Sequence, residues 1–182
     1  MHDDTESAFI TQPLGDEVGI LPDTGAHDNL CGDKWARRLA ERCKRAGRTC
    51  NQHPLQQARA VQGVGGQQAA TYEVELATGT HDVDGNHHFS SYKAPCLNNS
   101  NVPGLLGIKA LKFEDALIRC STGEMWFLGA GGVELKVSPG TRHFQMREAP
   151  GGHWMLPVSQ FLAQQSSSSS APSSAAPWRT SS

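Results

Sequence analysis

The sequence lacks any long apolar run. None of its stretches approaches the roughly 18 to 20 consecutive apolar residues that a transmembrane helix needs, so we expect no membrane-spanning segment. The first nine residues, MHDDTESAF, are acidic and lack the basic start and apolar stretch of a secretory signal. From these two absences we predict an intracellular, cytoplasmic protein.

An excess of charge of either sign is also missing, since 16 Lys and Arg face 18 Asp and Glu. This balance argues against a protein that coats nucleic acid. The sequence contains no zinc knuckle of the kind that binds RNA. We therefore expect no direct nucleic-acid-binding module.

Large aliphatic residues and phenylalanine are scarce. Leu, Ile, Val and Phe together number 34 of 182 residues, close to the level of about 20% below which disorder is expected. The shortage is local, because residues 164–182 hold nine serines and none of those four types. We predict a disordered N-terminal segment at 1–7, one domain at 8–163 and a disordered Ser-rich tail at 164–182.

The cysteines do not form a disulfide or zinc pattern. There are five of them, an odd number, and no two have the close C-x₂₋₄-C spacing of a structural zinc site, at positions 31, 43, 50, 96 and 120. We expect reduced thiols, as is usual in intracellular proteins.

Short apolar runs separated by Gly, Pro and Asn predict a strand-rich domain. Tyr72, Val74 and Leu76 alternate with polar residues, as in a strand with one buried face. The predicted strands cover 9–11, 18–21, 71–76 and 133–137, with a hairpin formed by 116–120 and 125–128.

Two segments have the pattern of helices. Residues 33–46 open with Asp33 as a candidate N-cap and end before Gly47. Their apolar residues form one stripe, which comprises Trp35, Ala36, Leu39, Ala40 and Cys43. The second predicted helix, at 108–116, follows Gly107.

The segment from Gly19 to Ala26 places a carboxylate, Asp23, between an apolar strand and a tight turn of small residues. Gly25 allows close approach of the backbone there. A carboxylate in such a turn accepts hydrogen bonds from nearby amides and keeps a fixed orientation. Asp-Thr-Gly alone is more typical of an ordinary Asx turn after a strand than of a catalytic site.

Three features in order give this motif more weight. They are Asp23-Thr24-Gly25-Ala26 after an apolar strand, the Gly-rich segment 61–66 before the strand at 71–76, and Leu105-Leu106-Gly107 before a short helix. With them, the chain resembles the retropepsin-like aspartic proteases of retroviruses and LTR retrotransposons, over about residues 8–137. Segments 23–35 and 151–157 look most like the protease domains of Copia-like polyproteins.

The resemblance implies a mainly β fold, the retropepsin-like acid-protease barrel. Such a chain is half of a protease that forms a homodimer, here with an inserted helix at 33–47 and a short helix after Leu-Leu-Gly. The sequence has one Asp-Thr-Gly, so a second copy would supply the second carboxylate. The implied activity is peptide-bond hydrolysis in a retrotransposon polyprotein, by an activated water and without a metal or cofactor.

The resemblance also assigns residues. Asp23, Thr24 and Gly25 are the expected catalytic turn, and Leu105, Leu106 and Gly107 the structural motif beside it. The residues expected to bind substrate comprise Ala26, His27 and Asp28 after the turn and Gly63, Val64, Gly65 and Gly66 in a flap.

Two positions depart from the family pattern. Pro22 stands where the family has an aliphatic residue, and a proline removes one N–H from the strand. Lys109 stands where many retroviral members have an Arg that pairs with an acid and supports the dimer. Lys109 predicts a less stable dimer, and Pro22 favours an alternative function, a catalytically silent, domesticated module for dimerisation or peptide binding. The intact Asp-Thr-Gly favours the enzyme.

Two other clusters carry groups capable of chemistry. Residues 81–88, His-Asp-Val-Asp-Gly-Asn-His-His, are rich in metal-ligand atoms, but a polar hairpin loop explains them more simply. Cys31 and His27 are neighbours in sequence, which by itself does not make a catalytic dyad.

Overall fold

A computed structural model of the chain describes residues 16–63 and 66–158. Of these, 45% lie in strands and 16% in helices, which confirms the predicted mainly β character. The predicted strand at 9–11, the segments 1–7 and 164–182, and the domain ends at 8 and 163 lie outside the described residues.

Ten strands and two α-helices occur among the described residues. In chain order they are β1 (Ile20–Asp23), β2 (Cys31–Gly32), α1 (Asp33–Arg45), β3 (Cys50–Gly63), β4 (Gly66–His81), β5 (His87–Leu97), β6 (Gly104–Gly107), α2 (Ile108–Phe113), β7 (Ala116–Arg119), β8 (Glu124–Phe127), β9 (Arg147–Glu148) and β10 (Trp154–Met155). A short 3₁₀ helix covers Gly129–Gly131.

The strands form four sheets. The main sheet has the order β2-β5-β4-β3, with a parallel pair between β2 and β5 and antiparallel pairs elsewhere. Strand β1 pairs in parallel with β6, and β7–β8 and β9–β10 are antiparallel pairs. In residues 16–63 and 66–158 the sheets stay separate, so the closed barrel that the resemblance implied is not present there.

The core lies between α1 and the main sheet. The predicted apolar stripe of α1 is confirmed, because Trp35, Ala36 and Cys43 are buried on the helix side. From the sheet, β4 contributes Val74 and Leu76, which confirms the face predicted from the alternation at 71–76. Helix and sheet thus bury one continuous apolar layer, the main source of stability in a fold of this kind.

An aromatic pair connects this core with β1 and β6. The rings of Trp35 and Tyr92 meet edge to face with centroids 5.1 Å apart. The indole N–H donates to the carbonyl of Gly19 at 2.7 Å, just before β1. The Tyr92 hydroxyl lies 2.8 Å and 2.9 Å from the carbonyl oxygens of Leu30 and Leu105, which share its single proton.

The ends of three predicted elements need correction. The strand predicted at 18–21 runs over Ile20–Asp23, so Asp23 is its last residue. The predicted N-cap Asp33 is the first helical residue, and Gly32 occupies the cap position. The second helix ends at Phe113 rather than at residue 116, because Asp115 adopts a positive φ of 46° that turns the chain into β7.

The two strand predictions in the C-terminal half had opposite outcomes. The hairpin at 116–128 is confirmed, with Gly123 at a φ of 69° in its turn. The strand predicted at 133–137 is wrong, and its residues are irregular and exposed. Alternation alone does not form a strand, because the backbone needs a neighbour with which to pair. In the described residues this segment pairs with none of the ten strands.

Among the described residues, neither α1 nor α2 combines the length and the apolar character needed to cross a bilayer.

The carboxylate of Asp33 connects α1 to the loop before β6. It accepts the backbone N–H of Ser100 at 2.9 Å and pairs with Arg37 at 3.2 Å. The hydrogen bond from Ser100 is the main cause that lowers the pKa of Asp33 below its ordinary value of 3.8.

We predict that Asp33→Asn flattens the acid limb of the stability curve. A carboxyl whose pKa is lowered on folding stabilises the fold above its ordinary pKa and loses this effect as the pH falls through the folded value. Wild-type stability should therefore drop more steeply below about pH 4 than that of the variant. Urea unfolding between pH 2 and 7 measures this, with the exposed Asp84→Asn as control. Parallel curves for wild type and Asp33→Asn would contradict the prediction.

Candidate active site

Asp23 ends β1 and begins a tight turn. Its Oδ1 accepts the N–H of Gly25 at 2.8 Å, and its backbone carbonyl accepts the N–H of Ala26 at 3.2 Å. Asp23 is half-buried, whereas Thr24 and Gly25 are exposed. The predicted arrangement of strand, carboxylate and small-residue turn is present, and it holds the carboxylate in one orientation next to an open surface.

Strand β6 lies directly beside this turn. The parallel register sets Asp23 opposite Gly107, Pro22 opposite Leu106, and Leu21 opposite Leu105. The two motifs that the sequence singled out are therefore neighbours in space. In the described residues β1 has β6 as its single neighbour, so Pro22 lies in an edge strand, where a missing N–H is tolerated.

The start of α2 holds the residues after the turn. The N–H of Ile108 donates to the carbonyl of Ala26 at 2.8 Å, and that of Lys109 donates to the carbonyl of His27 at 3.1 Å. The first amides of a helix have no partner within the helix. Here two of them fix the backbone of the predicted substrate-binding residues.

Asn29 is a site residue that the sequence analysis missed. Its Oδ1 accepts the N–H of Gly107 at 3.1 Å, and its Nδ2 donates to the carbonyl of Lys93 at 3.2 Å. One amide side chain thus connects the Leu-Leu-Gly strand with the main sheet. No sequence pattern indicated this role, because both partners are backbone groups far along the chain.

Lys109, at the position where the resemblance predicts an Arg, forms an ion pair with Asp28. Its Nζ is 3.7 Å from Oδ1 of Asp28, with both side chains largely exposed. A single long contact in water contributes little to stability, and Lys lacks the planar fork of Arg. The pair places one positive charge at the rim of the site.

Histidines from two distant segments meet at the turn. His153, which the sequence analysis did not select, places Nε2 3.1 Å from the carbonyl oxygen of Gly25. His27 places Nδ1 3.1 Å from the carbonyl oxygen of Gly151. The two rings are edge to face at 6.2 Å. The segment around β9 and β10 therefore lies against the turn.

The predicted flap belongs to a long hairpin of β3 and β4. Residues 59–63 pair with 66–70, and β5 joins the sheet only from Ala70 onward, so the outer part is a two-stranded arm. The β3–β4 pairing and the β4–β5 pairing both shift register near Tyr72. This irregularity marks the boundary between the arm and the rest of the sheet. Gly63 and Gly66 form its last pair, and Val64 and Gly65 lie outside the described residues. In the described part of the chain, no hydrogen bond or ion pair connects the arm with the Asp23 turn.

The Cys31–His27 pairing is ruled out by burial. Cys31 is completely buried, and its thiol points to the carbonyl of Pro95 at 3.8 Å. It neighbours Cys96 across the β2–β5 pair, and both are free thiols. The interaction with Cys96 and burial both raise the pKa of Cys31, which disfavours the thiolate that a catalytic dyad needs.

The residues at 81–88 form the tip of the β4–β5 hairpin, as predicted. The carboxylate of Asp82 accepts hydrogen bonds from the amides of Asp84 and Asn86 and from His88, and the bond from His88 is the main cause that lowers its pKa. Among the described residues, no group of three or more His, Cys, Asp or Glu is placed to hold a metal.

A groove of about 360 Å³ lies between α1 and strands β3 and β4. Arg37 and Lys44 line it together with Tyr72. It shares no residue with the Asp23 turn, and it contains no pair of groups suited to acid–base chemistry. The groove follows the edge of the apolar stripe of α1, since Ala36 and Ala40 also line it.

No protein-family model matches this chain, and a search of curated proteins found no match. The functional argument therefore depends on the geometry of the Asp23 turn and its neighbours.

We predict that Gly107→Ala destabilises the site. A Cβ at this position would lie 2.5 Å from the backbone C and O of Asp28, and backbone atoms cannot move aside cheaply. We expect a loss of roughly 1–3 kcal/mol in the free energy of unfolding, as for other overpacked positions. Gly131→Ala is the control, because its Cβ would meet no atom within 4 Å. Chemical denaturation of both variants measures the difference, and equal stabilities would refute the close approach.

Proposed function

We propose that this chain is one half of a retropepsin-like aspartic endopeptidase, in which two copies bring their Asp23 turns together. The observation that supports it most is the parallel pairing that sets Asp23, with its carboxylate held by Gly25, directly beside Gly107. The exposure of Thr24 and Gly25 leaves the turn open to a second copy.

The mechanism follows from two carboxylates at short distance. Two negative charges about 3 Å apart are strongly unfavourable, so the pair holds one proton. The ionised Asp23 takes a proton from water, while the protonated one polarises the scissile carbonyl and later assists the leaving amine. The two carboxyls titrate as one coupled system, which predicts a bell-shaped pH profile.

The chain also has a surface suited to a second copy. On one face of the β7–β8 hairpin, the four residues Ala116, Ile118, Met125 and Phe127 are all apolar, and Ile118 and Phe127 are exposed. A hairpin of two strands is only marginally stable without a further layer. A second copy that covers this face would complete both the sheet and the shared site.

The decisive variant is Asp23→Asn. If Asp23 is the general base, cleavage of a peptide library or of the chain itself should fall at least 100-fold. Asp84→Asn is the control, because this exposed Asp lies at the far hairpin tip. A pepstatin-type inhibitor should abolish the wild-type activity.

Equal cleavage by wild type and Asp23→Asn would refute the catalytic role. If the chain dimerises and binds peptides without cleaving them, it is instead a silent dimerisation or peptide-binding module.

For the dimer surface we predict that Phe127→Glu weakens self-association by roughly tenfold or more, since it buries an unpaired charge. Phe89→Glu, an equally exposed phenylalanine on β5, is the matched control. Sedimentation velocity across a concentration series measures both. A wild-type chain that is monomeric at every concentration and still fully active would contradict the shared site.

A further inference from the structure

The hairpin of β9 and β10 makes hydrogen bonds with the Asp23 turn and with His27, which follows it. His153 Nε2 lies 3.1 Å from the carbonyl oxygen of Gly25, two residues after Asp23. A carbonyl only accepts, so the imidazole donates and carries its proton on Nε2. In the same way His27 donates from Nδ1 to the carbonyl of Gly151. Each of the two segments thus donates one histidine hydrogen bond to a backbone carbonyl of the other.

A lysine of α2 fixes the hairpin from the other side. Lys112 Nζ donates to Oε1 of Glu148 at 2.6 Å and to the carbonyl of Gly152 at 2.8 Å. It also lies 4.5 Å from the centre of the Trp154 ring, a cation–π distance. These contacts hold β9 and β10 against the last turn of α2.

Gly152 permits the close approach. Its φ of 81° is in the left-handed region, and a Cβ there would lie 3.1 Å from Cε1 of His27. The backbone of the hairpin therefore reaches the turn at a point where a larger residue would push it away.

The two hydrogen bonds that join the hairpin to the Asp23 turn and to His27 are exposed, whereas the bond from Lys112 to Gly152 is partly buried. Both histidine hydrogen bonds lie at the surface, and each strand of the hairpin has only two residues. Exposed hydrogen bonds and ion pairs contribute little individually, and such segments open locally at low cost. The hairpin is thus joined to the Asp23 turn and to His27 by two contacts that are individually weak.

We propose that the β9–β10 hairpin is a built-in competitor of the substrate, which occupies the Gly25 carbonyl and His27 until a peptide displaces it. This inference rests on the proposed function. An extended peptide is recognised by main-chain hydrogen bonds, and the Gly25 carbonyl is an acceptor two residues after Asp23. A peptide that binds only the open form has its apparent affinity reduced by the fraction of open molecules.

The test compares wild type, His153→Ala and the control His143→Ala, an exposed histidine of the preceding segment, all in the full chain. Loss of one exposed hydrogen bond should lower KM for a cleaved peptide roughly 2- to 10-fold, with kcat within about twofold. If His153 instead positioned the turn for catalysis, kcat would fall and KM would not decrease, which would overturn the proposal. An unchanged KM would overturn it as well. Equal unfolding midpoints for wild type and His153→Ala exclude a general loss of stability.

A second measurement does not depend on turnover. In the wild-type chain, hydrogen exchange of residues 147–155 should become faster when a pepstatin-type inhibitor binds, because the hairpin leaves. Binding with no change or with slower exchange there would refute displacement.

The two proposals fail in different ways. If wild type and Asp23→Asn cleave equally, or if the inhibitor does not bind, the protease proposal fails. The proposal that the β9–β10 hairpin competes with substrate then fails as well, because it rests on the first. If cleavage depends on Asp23 but His153→Ala leaves KM unchanged, only the competitor is refuted.

Discussion

The fold depends on the hydroxyl group of one tyrosine. Tyr92 comes from the centre of the main sheet, and its single proton is shared by the carbonyls of Leu30 and Leu105. Burial raises the pKa of this hydroxyl, so it keeps the proton that both carbonyls need. Trp35 packs against the same ring and reaches Gly19 with its indole N–H. This aromatic pair therefore attaches strands β1 and β6 to the core, together with the Asn29 side chain and the packing of Ile20.

Glycines determine how closely neighbouring backbone segments approach one another and the Trp35 ring. A Cβ on Gly104 would lie 2.4 Å from the Trp35 ring, one on Gly32 would lie 2.4 Å from the carbonyl oxygen of Ser100, and one on Gly107 would lie 2.5 Å from Asp28. Each of these glycines lies where two backbone segments, or a backbone and an aromatic ring, touch directly. The orientation of the Asp23 carboxylate therefore follows from backbone packing, with Gly25 as its nearest donor.

Local patterns predicted the local parts of this structure. The stripe of α1, the buried face at 71–76 and the hairpin at 116–128 follow from periodicity and turn residues, which act over a few positions. The family resemblance pointed to two motifs, 23–26 and Leu105-Leu106-Gly107. Only the parallel pairing of β1 with β6 shows that these motifs lie side by side. Asn29, Tyr92 and His153 were missed because their partners are backbone carbonyls and amides, which every residue has. The strand predicted at 133–137 is absent because a strand needs a second segment with which to pair. Alternation within one segment does not show whether such a partner exists.

The parts of the site are far apart along the chain. Asn29 and Gly107 are separated by 78 residues, and Gly25 and His153 by 128. Contacts of such high sequence separation form late, because the loop between them must first lose its freedom. During synthesis at about 5–20 residues per second, roughly 4–16 s pass between the appearance of Asn29 and that of Gly107. Throughout that interval the Asp23 turn has no β6 beside it. A growing chain therefore carries its carboxylate without the neighbours that orient it, and the site takes shape only after most of the chain has been made.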